Sequence, residues 1–188
     1  MNIKLTSNIK SVEKTLSEIE KKVFTPSLNA SINRTGANVK KKSVSQVAKV
    51  KRVKLALINK RGLVRKSNFR RLDYSVTFYN RDVSWIELGA KRVGVTKKNQ
   101  LGRGVKAGKR YQSKAFFAKG KGGNTQVFMR KTRSRNPLIA LKVPLNKVFN
   151  NAWQKHQSST ESIDFFDRSM QREIEYRSNK IIAKQKQL

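Results

Sequence analysis

Arg70-Arg71-Leu72-Asp73-Tyr74-Ser75-Val76-Thr77-Phe78-Tyr79 is where the periodicity of the chain changes. Leu72, Tyr74, Val76 and Phe78 fall on one side of an extended backbone, and Asp73, Ser75, Thr77 and Tyr79 fall on the other, the alternation of a half-buried strand. Asn80-Arg81-Asp82 reads as a turn, and residues 83–88 read as a second strand closed by Gly89.

Upstream the spacing is helical. Ile9, Val12, Leu16, Ile19 and Val23 recur at steps of three and four, which predicts a helix over residues 8–22. Thr25-Pro26-Ser27 predicts an interruption with Ser27 as a cap, after which Leu28, Ile32, Thr35 and Val39 restart the period in a second helix to about residue 47. Residues 51–60 fit a short third helix or a strand, with helix preferred.

Downstream, Gly94, Gly102, Gly104 and Gly108 interleaved with basic residues predict a long basic loop over 94–110. Residues 115–118 and 125–129 flank Lys119-Gly120-Lys121-Gly122-Gly123-Asn124 and predict a hairpin, and residues 137–143 supply another strand. Pro144 suits a first helical turn, followed by Leu145, Val148, Phe149 and Trp153 at helical spacing. Ser158-Ser159-Thr160-Glu161 breaks that helix and offers capping hydroxyls, and Ile163, Phe166, Met170, Ile174 and Ile181 mark the apolar face of a last helix towards residue 184. The order predicts an α+β fold: a small antiparallel sheet (70–143) with N-terminal helices (8–60) packed on it and C-terminal helices after it. A single domain over 1–157 with a helical extension over 158–188 is expected.

Charge limits the functions available. The 188 residues carry 44 Lys and Arg against 11 Asp and Glu, a formal net charge of +33. The acids fall in three islands, 13–20, 73–87 and 161–175, so residues 21–72 and 88–160 hold 34 of the 44 basic residues and no carboxylate. Local ion pairs cannot neutralise such stretches, and a polyanionic partner or an acidic neighbour is implied. Hydrophobic residues at 37%, with two Trp and nine Phe, are enough for a folded core. Cysteine is absent, which excludes disulfides and thiolate metal sites. No signal peptide and no apolar run of membrane-spanning length is visible, so a soluble protein with no membrane partner is expected.

Catalytic chemistry finds little support. His156 is the only histidine, so neither a two-imidazole metal site nor a choice of triad base is on offer. Asp73, Asp82 and Glu87 are the one central carboxylate group suited to Mg²⁺ and phosphodiester hydrolysis, but Gly89 stands where a restriction-type nuclease would have lysine. Pairing of these acids with nearby arginines is the preferred reading. Gly102-Arg103-Gly104 and Gly120-Lys121-Gly122-Gly123 lack phosphate-loop spacing. As non-specific anion contacts, Lys97, Lys98, Arg103, Lys106, Lys109, Arg110, Lys119 and Lys121 are better candidates, with Tyr111, Phe116 and Phe117 either stacking on bases or packed into a core. No catalytic residue, cofactor or metal is assigned.

The order of several segments resembles a known family. Leu28-Asn29-Ala30-Ser31-Ile32-Asn33-Arg34-Thr35, the basic run into Ser45-Gln46-Val47-Ala48, and Ile86-Glu87-Leu88-Gly89-Ala90-Lys91-Arg92-Val93 resemble segments of the lambda-type phage minor tail protein Z (tail completion) family. Lys114-Ala115-Phe116-Phe117-Ala118, Gln126-Val127-Phe128-Met129-Arg130, Asn136-Pro137-Leu138-Ile139 and Val143-Pro144-Leu145 follow in the same order. The resemblance covers about residues 28–156, and the region around 164–172 matches less well. It implies a structural virion protein, assembled in the host cytoplasm, that acts in tail completion and head–tail joining at the head-proximal end of the tail. A homo-oligomeric ring, with a hexamer expected, would meet neighbours such as the tail terminator, and its basic loops would face an acidic ring or the entering DNA end. A general phosphate-backbone binder is the alternative that charge alone would support.

Overall fold

In the computed structural model, residues 16–79, 82–94, 104–120, 122–132 and 137–185 are described. The first half of the helix expected at 8–22 therefore lies outside the described residues. Two compact units make up the chain: Met1–Lys41 with Val64–Val76 and Lys155–Leu188, and Lys42–Leu63 with Thr77–Gln154. The architecture is α+β with antiparallel strands, as expected, although the strands form four small sheets.

The break expected at Thr25-Pro26-Ser27 does not occur. Residues 16–19 are helical, a π-helical turn spans Glu20–Phe24, and helix α1 continues over Thr25–Lys51. Proline lacks an N–H, and in a regular α-helix its ring collides with the carbonyl four residues back. The π turn, in which Thr25 N–H donates to the Glu20 carbonyl five residues back, widens the backbone just before Pro26 and lets the helix run through. Ser27 is consequently an interior residue with a buried hydroxyl and not a cap. The buried residues of α1 are Ser27, Ser31, Val39, Ser43, Val44 and Val47: Val39 is buried as expected, whereas Ser27 and Ser31 take the places expected of Leu28 and Ile32.

The first unit uses small residues for close contact. A Cβ at Gly36 would overlap the Tyr74 ring. Asn33 bonds the Ser67 backbone twice, accepting from its N–H at 2.9 Å and donating to its carbonyl at 3.1 Å. The C-terminal helix, Thr160–Gln185, packs on the π turn. Ser159 caps that helix, its Oγ accepting from Ser162 N–H at 3.3 Å, which agrees with the capping hydroxyls expected there. Its apolar face differs from expectation: Ile163 is 54% exposed, whereas Ser162, Ser169 and Glu173 are buried. Glu173 carries the buried charge by pairing with Arg34 at 2.6 Å and Arg177 at 3.1 Å.

The second unit holds the larger apolar core: Val44, Val47, Val53, Ile58, Val83, Trp85, Val105, Val127, Val143, Leu145 and Phe149 are all buried. Helix α2, Leu55–Asn59, is the preferred helical outcome for residues 51–60. Strand β1 (Gly62–Arg65) pairs with β2 (Ser75–Phe78), and β3 (Val83–Ser84) pairs antiparallel with the later β10 (Lys142–Val143). The second strand expected over 83–88 thus ends after two residues, because Trp85 to Gly89 form a turn in which Gly89 takes φ +73°. Two three-stranded antiparallel sheets follow. One contains β4 (Lys91–Val93), β5 (Gly104–Ala107) and β6 (Arg110–Gln112), and the other β7 (Ala115–Lys119), β8 (Thr125–Arg130) and β9 (Leu138–Ala140).

The basic loop expected over 94–110 is thereby corrected from Gly104 onward. Val105 and Ala107 are buried and bring β5 into the sheet, and Gly108, at φ +59°, turns the chain directly into β6 as the first residue of a two-residue hairpin turn. The β7–β8 hairpin lies where expected, and the run at 137–143 divides into β9 and β10 around Leu141. Helix α3, Asn146–Gln157, carries the keystone of this core, since Phe149 stacks on Phe78 at 3.5 Å between ring centroids and on Trp153 at 6.2 Å. Phe149→Ala should cost about 3–5 kcal/mol through lost burial and the cavity left behind. Phe69→Ala, at a position 66% exposed, should stay within about 0.5 kcal/mol. Denaturant unfolding in high salt measures both.

Candidate functional site

The acids first considered for metal chemistry are held by arginines. Asp73 pairs with Arg71 in the first unit, and in the second Glu87 accepts two bonds from the Arg61 guanidinium, each at 2.8 Å. Arg61 is fixed from behind by donating to the Leu57 carbonyl at 2.7 Å. Ser84 N–H donates to the same Glu87 carboxylate at 2.8 Å. Glu87 is thus the tie between the end of α2 and the turn after β3. Asp82 is exposed, and among the described residues no group of three His, Cys, Asp or Glu side chains is placed to hold a metal ion.

The expected basic residues divide three ways. Lys97, Lys98, Arg103 and Lys121 lie outside the described residues. Lys106, Lys109 and Lys119 are exposed, at mid-strand in β5, in the β5–β6 turn and at the end of β7. Arg110 behaves differently: it is half-buried and donates to the Lys51 carbonyl, where it closes the C-terminal turn of α1. The strand register adds a residue that composition did not single out. Lys91 lies directly opposite Lys106, which in turn faces Tyr111, so one line across the sheet reads Lys91, Lys106, Tyr111. Like charges directly opposed across strands repel one another, and an anion laid over this face would relieve the repulsion. Only strand pairing brings the two lysines together, since 15 residues separate them in the chain.

The aromatic rings proposed as base platforms are already engaged. The Arg92 guanidinium lies 5.7 Å from the Phe117 ring centroid and that of Arg130 lies 5.3 Å from Phe116, within cation–π range. Both rings are half-buried, so neither is packed into the core as the alternative reading expected. Beside Phe116, the residues Lys114, Arg130, Lys131 and Thr132 line a second basic depression. At the β7–β8 tip, Gly123 takes φ +76° and Gly120 N–H donates to the Asn124 carbonyl, so these glycines close a hairpin. His156 contributes its carbonyl, which accepts the hydroxyls of Ser159 and Ser162 at the junction of the two C-terminal helices.

Comparison with family models matches residues 9–184 of the chain to prophage minor tail protein Z (GPZ). The chain belongs to that family. Comparisons with curated proteins and with solved structures find no match. Membership gives the chain a structural role in the phage tail, and hence in the virion. The described site offers exposed lysines on short strands beside arginines such as Arg61 and Arg110 that hold the fold together. The match extends beyond the motifs at 28–156 into the C-terminal helix, where periodicity alone had been available.

The Arg61–Glu87 tie has a pH signature. Burial pushes the Glu87 carboxyl up, but the Arg61 hydrogen bonds, the Ser84 backbone bond and the Arg61 charge together outweigh it and hold the group below its ordinary value of 4.5. A carboxyl whose folded pKa is depressed contributes stability that is fully present above the unfolded pKa and is lost as pH falls through the folded one. Stability should therefore decline on acidification below about 4.5, and Glu87→Gln should flatten that part of the profile. Thermal melts of both proteins across the acid range measure this. Identical acid slopes would contradict it.

Proposed function

We propose that the chain completes the tail at its head-proximal end and prepares it to join the DNA-filled head. It does so as a closed ring of identical subunits, with six the expected number. Family membership carries this reading. The charge distribution supports it, because a +33 subunit needs an anionic surround. A ring at the junction of tail and head has two such surfaces to meet: an acidic neighbouring ring such as the tail terminator, and the end of the DNA. Closure of the ring satisfies every head-to-tail interface and prevents open-ended polymers.

In this reading the lysine line of Lys91 and Lys106, with Lys97, Lys98, Arg103, Lys109, Lys119 and Lys121, faces the partner. Arg110 stays with the fold. The exposed lysine face favours one other reading, a general binder of nucleic-acid backbones that works outside the particle. Such a protein would make salt-dependent contacts with any duplex and would need no tail.

The two readings separate in vivo. Replacing Lys97, Lys98, Arg103, Lys106 and Lys109 together by Ser, with Arg110 retained to keep the end of α1 capped, should leave the melting temperature within a few degrees of the parent. It should also reduce infectious particles by several orders of magnitude, with tails and filled heads accumulating unjoined. Normal titres would refute the role given to these side chains.

A further inference from the structure

A small basic pocket lies within the first unit. Arg34 of α1 and Phe165, Arg168, Ser169 and Arg172 of the C-terminal helix line a cavity of about 160 Å³. Three of its five lining residues are arginines and none is a carboxylate. Glu173, the nearest buried acid on that helix, is neutralised by Arg34 and Arg177 and does not line it. Arg168 and Arg172 stand one helical turn apart, a spacing at which like charges repel. Arg168 is oriented by its Nε, which donates to the Asp164 carbonyl at 3.1 Å and leaves the terminal nitrogens of the fork for another acceptor.

Ser169 also lines the cavity and is 7% exposed, and its Oγ is one of several buried hydroxyls of this unit, with those of Ser27, Ser31 and Thr35, that have no hydrogen-bond partner within the protein. A hydroxyl donor beside guanidinium forks matches the donor set that a tetrahedral oxyanion takes up. The volume suits a single phosphate group with a little water and is well below the several hundred Å³ that a nucleotide requires.

We propose that Arg34, Arg168, Arg172 and Ser169 form a phosphate-binding pocket, and that its occupant is a phosphodiester of the DNA backbone. Inorganic phosphate shares this chemistry, so the test includes both. It uses the purified full chain in solution and needs no tail, so its failure is distinguishable from failure of the assembly reading.

Inorganic phosphate should raise the melting temperature above that in chloride at equal ionic strength. Arg168→Gln/Arg172→Gln should abolish the rise, whereas Lys180→Gln/Lys184→Gln, an equal charge change on the same helix outside the pocket, should retain it. Ser169→Ala should weaken phosphate about tenfold. The phosphate-free protein should lose no stability from this change, because the hydroxyl had no partner to lose. Binding of a short duplex, followed against salt, then assigns the source. A slope of log K against log salt reduced by about 1 in the arginine variant, relative to the lysine control, supports the DNA phosphodiester. Equal slopes with the phosphate response intact in the parent overturn DNA as the occupant and leave inorganic phosphate. Equal phosphate responses in the parent, the arginine variant and Ser169→Ala overturn the pocket itself.

Discussion

With 44 basic side chains and 11 acidic ones, this chain cannot neutralise itself, and the placement of its few carboxylates governs what holds together. Asp73 holds Arg71, Glu87 holds Arg61, and Glu173 holds both Arg34 and Arg177. The Arg61–Glu87 and Arg34–Glu173 pairs join segments far apart in the chain, whereas Arg177–Glu173 lies within the C-terminal helix. Glu173 is the strongest case, since a carboxylate 8% exposed is tolerated only when it is paired, and two guanidiniums supply the pairing. Several arginines are bound by carboxylates or by carbonyls, as Arg110 is by Lys51, while many of the lysines stay exposed on the surface. This division follows from the chemistry of the two side chains. The planar guanidinium makes several directed bonds at once, and the compact ammonium is more strongly hydrated.

Apolar packing makes up the rest within each unit. In the second, Phe149 and its stack with Phe78 and Trp153 join a helix to a strand, and the buried valines of three short sheets close the core. In the first, serines and a glycine allow close backbone approach, and the burial is more polar. Short strands suit a protein whose surface carries so much positive charge, because few successive positions on any strand can be buried.

Much of this was legible in the sequence wherever one local signal governed the backbone. Alternation about the glycine tip located the β7–β8 hairpin, Pro144 located the start of α3, and the hydroxyls at 158–160 located the junction of the last two helices. The misreadings came where two local signals competed. Pro26 signals a stop, yet a π turn absorbed its ring and left one long helix. The glycines of 94–110 suggested an unstructured loop, while the two buried side chains of β5 were too few to register as a strand. Ile163 was assigned to a core face that Ser162, Ser169 and Glu173 occupy, because hydrophobic periodicity cannot anticipate a buried face made of hydroxyls and a paired acid. The alignment of Lys91 with Lys106 was out of reach for a different reason: cross-strand neighbours depend on register, which is a property of two segments. Family membership was legible in the order of weak motifs, none of which would have sufficed alone.

Assembly at the head-proximal end of the tail is the central claim, and the most direct test is to supply the purified chain, kept in high salt and then diluted, to tails made without it. Native mass and electron microscopy follow the product with and without short duplex DNA. The account predicts a discrete ring of uniform stoichiometry, seated at one end of the tail, and recovery of joining to filled heads. A monomer that coats the duplex in proportion to its length and never attaches to tails would contradict it.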